Sequence, residues 1–173
     1  MVNKSQYSIN LGSLPQGESS WACIVENALF ADRNLLGVIG GEVRVDASIV
    51  RVGDVFECDF ALRGYVVVIC DRCLGEARMP IQTHSKLIVK LGEEYNDSED
   101  EEIIVPRTDA RLSLEQVLYE WVVLSLPISK GHPQGQCPQE SLSILDAYHP
   151  HTTIEDEVID PRWEQLRQLK EEK

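Results

Sequence analysis

The sequence predicts an α+β fold, an antiparallel β-meander carrying a few helices. Three observations point there. Long stretches between residues 42 and 91 alternate apolar and polar positions, the period of strands with one buried face. The breaks between them are short and most contain glycine, which makes successive strands antiparallel neighbours. A later stretch, 113–125, switches to helical spacing. The pattern leaves open whether the meander closes into a barrel.

Taken in order, the span from Gly17 to Phe30 is read as an N-terminal helix. Ser19 or Ser20 would cap it, and Trp21, Ile24, Val25, Ala28 and Leu29 would form its apolar face. In EVRVDASIV, Val43, Val45, Ala47 and Ile49 share one face and Glu42, Arg44, Asp46 and Ser48 the other. Arg51-Val52-Gly53-Asp54 reads as a turn. Phe56, Cys58, Phe60 and Leu62 then point inward, and Arg63-Gly64 reads as a second break. Tyr65 to Ile69 is apolar on both faces, as a central strand is. After ICDRCLG, residues 69–75, the alternation returns. Met79, Ile81, Thr83, Ser85, Leu87, Val89 and Leu91 face one way, against Gln82, His84, Lys86 and Lys90.

Residues 93–102, EEYNDSEDEE, hold seven carboxylates in ten positions and read as a solvated acidic loop. The clearest helix follows. Ser113 and Gln116 suit a capping box. Leu114, Val117, Leu118, Trp121, Val122 and Ser125 form its core stripe, and Pro127 stops it. Residues 129–140, SKGHPQGQCPQE, are a Gly/Pro loop. The stretch 140–159 follows no single pattern, and its His149-Pro150-His151 reads as loop. A C-terminal helix at 160–171 is expected, with Asp160 as N-cap and Pro161 at the first helical position. The whole, 1–173, is expected to form a single domain.

The 173 residues carry 16 basic and 29 acidic side chains, a formal net charge of -13. A bare duplex-binding domain is normally basic, so this charge favours a basic protein partner, or nucleic-acid contact through a local basic patch. No apolar run is long enough to span a bilayer. The first residues lack the apolar core of a signal peptide. A cytoplasmic protein with no membrane contact is therefore expected. Its five cysteines are then not expected to form a disulfide framework, and Cys23 and Cys58 read as small buried hydrophobes.

Cys70 and Cys73 have three readings. A redox pair wants a helix directly after the first cysteine, but strand patterning follows here. A zinc half-site needs two more N or S ligands. The plausible pair is His132 and Cys137, giving a Cys3His set. The third reading is a plain turn of two reduced cysteines. Zinc and the turn both stay open. No nucleophile elbow, phosphate loop or dinucleotide-binding glycine run is present, so no catalytic set, enzyme activity or small-molecule substrate is expected.

Several separate features resemble one family. CDRCL after a Val-rich strand, the acidic insert, the helix running into SLPIS, the loop with His132 and Cys137, and the terminal DPRWEQLRQL together look like the large ribosomal RNA subunit accumulation proteins, the YceD family. The resemblance covers roughly residues 40–173. It implies a non-enzymatic role in synthesis, processing or stability of 23S rRNA during large-subunit assembly. The implied partner is that rRNA or a basic large-subunit ribosomal protein. Many members of that family carry more cysteines in the loop after the helix, whereas this chain keeps only Cys137 there. The competing expectation is a zinc-stabilised protein-interaction module unrelated to ribosomes. For RNA or partner contact the candidates are Arg63, Arg72, Arg78, Lys86 and Lys90, on the polar side of the long strands and their knuckle.

Overall fold

The computed structural model describes residues 6–31, 37–99, 101–133 and 135–148. The chain divides into two compact units, Met1–Cys137 and Pro138–Lys173. In the first, the elements run β1 (Ser8–Asn10), a short 3-10 turn at Leu11–Ser13, β2 (Gly17–Val25), α1 (Asn27–Ala31), β3 (Val38–Val52), β4 (Val55–Ile69), β5 (Glu76–Gly92), β6 (Asn96–Glu99), β7 (Glu102–Pro106), β8 (Arg111–Ser113) and α2 (Glu115–Leu124). The second unit contains α3, Gln139–Tyr148.

Six strands form one sheet in the order β2-β3-β4-β5-β7-β6, and β1 pairs with β8 separately. The α+β class and the antiparallel meander through β3, β4 and β5 stand as expected. The faces also fall where alternation puts them. Val43, Val45, Ala47 and Ile49 are buried from β3, and Phe56, Cys58, Phe60 and Leu62 from β4. β4 is central, between β3 and β5. The apolar face packs against α2, whose Leu118 and Val122 are buried, and Trp121 tilts onto Phe60 with ring centroids 4.9 Å apart. No polar or charged residue is buried among the described ones, so the core rests on apolar burial and shape.

One question left open is answered and four expectations need correction. The sheet is not a closed barrel, because β2 and β6 are its two edges. It is also mixed, since β7 runs parallel to β5. The N-terminal helix at 17–30 is instead β2 followed by the short α1. Trp21, Cys23 and Val25 also satisfy a period of two, and pairing of Gly17–Val25 with Arg51–Val43 decides the matter. The break at Arg63-Gly64 does not exist, for β4 runs through it unbroken. The acidic loop contains β6, antiparallel to β7.

Helix α2 is present, but Ser113 ends β8 and the N-cap is Leu114, which makes no side-chain capping bond. Tyr119, outside the expected stripe, is buried with it and lies against Phe30, ring centroids 6.3 Å apart. The C-terminal helix expected at 160–171 and His149-Pro150-His151 lie outside the described residues.

Candidate metal centre

β4 and β5 are joined by a six-residue knuckle, 70–75. Ile69 pairs with Glu76 at its mouth. The Cys70 N–H donates to the Gly75 carbonyl (2.8 Å), and the Leu74 N–H donates to the Cys70 carbonyl (2.9 Å). Leu74 closes the turn with φ +59°, a left-handed conformation that costs a leucine about 1–2 kcal/mol. This tight loop turns Cys70 and Cys73 towards one point.

The loop after α2 comes down on the knuckle. The Asp71 N–H donates to the Lys130 carbonyl (2.8 Å), and the Lys130 N–H donates to Asp71 Oδ2 (2.7 Å). This reciprocal clamp fixes the register of the two loops. Gly131 then lies against Cys70, where a Cβ would stand 3.1 Å from Sγ. Close approach, rather than backbone conformation, explains glycine at this position.

The four ligand atoms of Cys70, Cys73, His132 and Cys137 all lie within 4.8 Å of one another, so together they can hold a metal ion. His132 Nδ1 is 3.4 Å from Cys73 Sγ and 3.8 Å from Cys137 Sγ. Its Nε2 lies 3.0 Å from the Glu76 carbonyl oxygen. That oxygen only accepts, so Nε2 carries the proton. In the neutral ring, Nδ1 then presents its lone pair to the sulfurs. A second-sphere carbonyl that fixes the tautomer in this way is characteristic of metal-binding histidines.

The thiols are electrostatically unequal. Burial raises the Cys70 pKa. That effect is outweighed by the backbone N–H groups of Cys73, His132 and Arg72 and by the His132 side chain, so the thiol sits down at about 6. Burial first, and then contacts with the sulfurs of Cys73 and Cys70, together push Cys137 up to about 11. Cys58 and Cys23, each pushed up to about 12 mainly by burial, stay protonated thiols.

A thiol pKa held below its ordinary 9.0 favours the folded state when pH is above that value, and the contribution is lost as pH falls towards about 6. Metal-free protein is therefore expected to show one thiolate titrating near pH 6 by ultraviolet absorbance. Cys70→Ser should abolish it. A single titration near the ordinary thiol value in the wild type would contradict the geometry.

The five expected contact residues do not form one group. Lys86 pairs with Asp59 (3.5 Å) and Lys90 with Glu102, both towards the hairpin end of the sheet. Arg63 and Arg78 stand on the solvent face nearer the knuckle, and Arg72 is exposed within it. The Arg78 guanidinium carbon lies 3.3 Å from the centroid of the Tyr65 ring. Arg44, directly across from Arg63 in the register, was not among the expected residues. Neither was Tyr65.

The model of one protein family, described as the large ribosomal RNA subunit accumulation protein YceD, matches residues 58–170. That is about two thirds of the chain. The chain belongs to this family. No curated protein and no solved structure matches it. The YceD match takes in all four members of the Cys3His set, together with Arg63, Arg72 and Arg78. Among the described residues, no helix is long and apolar enough to cross a membrane.

Proposed function

We propose that the protein is a non-enzymatic, zinc-stabilised cytoplasmic factor supporting accumulation of 23S rRNA during large-subunit assembly. The family match over residues 58–170 carries the ribosomal part of this reading. The donor set supports the metal part. A tetrahedral zinc with Zn–S of about 2.3 Å and Zn–N of about 2.1 Å has S···N edges of about 3.6 Å. The two S···Nδ1 separations of 3.4 and 3.8 Å straddle that value. Three soft sulfurs and one imidazole select zinc over the oxygen-loving cations.

Four protein donors fill a tetrahedron and leave no open position for water or substrate, so the centre is structural rather than catalytic. Its chemistry is to pin the loop 129–137 onto the β4–β5 knuckle. The assembly role is tested by depletion in the source cells. Large-subunit particles and 23S rRNA should fall relative to the small-subunit rRNA. Normal levels of both in depleted cells would sink the ribosomal reading.

A further inference from the structure

We infer that the solvent face of β4 and β5 next to the knuckle, centred on Arg63 and the Arg78–Tyr65 stack and reaching Arg72, binds single-stranded RNA. This rests on the ribosomal reading above and names the contact through which it would act.

The argument begins with how the cations are used. In a chain of net charge -13, half of the described lysines and arginines find carboxylates. Arg44 holds Asp46 at 2.9 Å, Arg107 holds Asp54 at 2.7 Å, and Lys86, Lys90 and Lys130 have acidic partners. Arg63, Arg72, Arg78 and Arg111 have no ion pair among the described residues, and Arg51 donates to the Leu14 and Gly53 carbonyls instead. Arg63, Arg72 and Arg78 are the ones that lie together at the knuckle end. Arg63 acts electrostatically on Asp46, whose carboxylate Arg44 already occupies. Arg63 also stands directly opposite Arg44, a like-charge cross-strand pairing that is unfavourable without an anion above it. Besides Asp46, held by Arg44, and Asp71, held by Lys130, the acids nearest the strip are Glu42, opposite Tyr65, and Glu76, at the knuckle mouth. They make its positive charge local and modest.

The second observation is shape. The register places Arg78 against Val67, one step beyond Tyr65 on the same face, and its guanidinium carbon sits over the ring, 3.3 Å from the centroid. A guanidinium held on an aromatic offers its other plane for stacking, and its position is already fixed. Unstacked bases use such planes, whereas a duplex hides its bases from a sheet face. From Arg63 to the knuckle the strip runs about seven strand residues, roughly 20 Å. That length suits on the order of four nucleotides. A flat stacking plane between point charges suits a base-bearing strand better than an acidic peptide.

Fluorescence anisotropy with the full chain and a labelled single-stranded RNA of about a dozen nucleotides tests this. Three arginine–phosphate contacts on a single strand give a slope of log K against log salt near -2, about a 20-fold loss between about 50 and 200 mM salt. Arg63→Ala and Arg78→Ala should each weaken binding and reduce the slope by about 0.7. Arg78→Lys keeps the charge but not the plane, and should also weaken binding, by about fivefold or more. The double variant Lys86→Ala/Lys90→Ala should bind within about twofold of wild type.

Three results would overturn the inference: no salt-dependent binding, equal affinity for polyglutamate or for duplex RNA, or a larger loss in the lysine pair than in the arginine variants. Unchanged circular dichroism checks that each variant is folded. The measurement uses purified protein. A failure here with 23S rRNA still falling on depletion removes the strip and leaves the assembly role. Normal rRNA on depletion removes that role and leaves the binding result as measured.

Discussion

Removing metal from the purified protein is expected to lower its melting temperature by on the order of 10 °C. A ligand present at about a thousand times its dissociation constant stabilises the folded chain by about 4 kcal/mol. For a unit of this size each kcal/mol moves the midpoint by roughly 3–4 °C. The loss should also be local. Of the four donors only Cys70 is fully buried in the sheet core, with Cys73 and Cys137 packed partly buried against its edge. Chelation should therefore speed hydrogen exchange at Cys70, Asp71 and Lys130, whose N–H groups close the knuckle and the clamp, and leave the middle of β4 protected. Elemental analysis should find one zinc per chain.

Cys73→Ser should abolish the zinc and reproduce the chelated melting point without further loss. Cys23→Ser, in β2 and outside the set, should keep the zinc. A wild-type chain free of metal, with the same melting point in chelator, would return the knuckle to a plain turn. That outcome would leave the tautomer arrangement of His132 without a purpose.

The donor set was legible in the sequence because ligand chemistry is discrete. CxxC needs two partners, and one loop offered a histidine and a cysteine at workable spacing. What the sequence could not supply was the fold-back. The clamp between Asp71 and Lys130, Gly131 against Cys70 and the Glu76 carbonyl on His132 are backbone and close-contact features, invisible to residue type. The strand faces from 42 to 91 were legible for the opposite reason. A period of two is rigid, and one buried face enforces it.

The arginine strip was partly legible. A two-residue turn at Gly53-Asp54, with Val52 opposite Val55, places Arg44 opposite Arg63 by counting back along both strands. Reading single-strand patterns without that count left Arg44 out and grouped Lys86 and Lys90 with arginines from the other half of the sheet. β2 was misread because nine residues satisfied both periods, and only its neighbour β3 distinguishes them. The parallel placement of β7 has no signature in local periodicity, since it depends on β6 taking the outer edge.

The false break at Arg63-Gly64 leads to the second large effect. Gly64→Ala should destabilise the protein by about 3 kcal/mol or more, which is large for adding one methyl group. A Cβ at Gly64 would stand 2.2 Å from the Glu42 carbonyl oxygen and 2.7 Å from the Val43 Cα. These are backbone atoms that cannot rotate aside. The neighbouring strand has the reciprocal feature. A Cβ at Gly41 would stand 2.5 Å from the Tyr65 carbonyl oxygen and 2.7 Å from the Val66 Cα. The register sets Gly41 beside Val66 and Gly64 beside Val43, so each glycine lies beneath the other strand's backbone. Glycine here is the means by which two long strands cross closely and bend without ending.

The two substitutions should therefore be sub-additive. Parting the strands for one methyl group makes room for the other, so Gly41→Ala/Gly64→Ala should cost less than the sum of the singles by about 1 kcal/mol or more in urea unfolding. Strict additivity would mean that the glycines act separately and that no shared crossing exists. The same crossing lies between Arg63 and Tyr65 on β4. Opening it should weaken RNA binding in the glycine variants while leaving one zinc per chain, because the knuckle's hydrogen bonds lie beyond it.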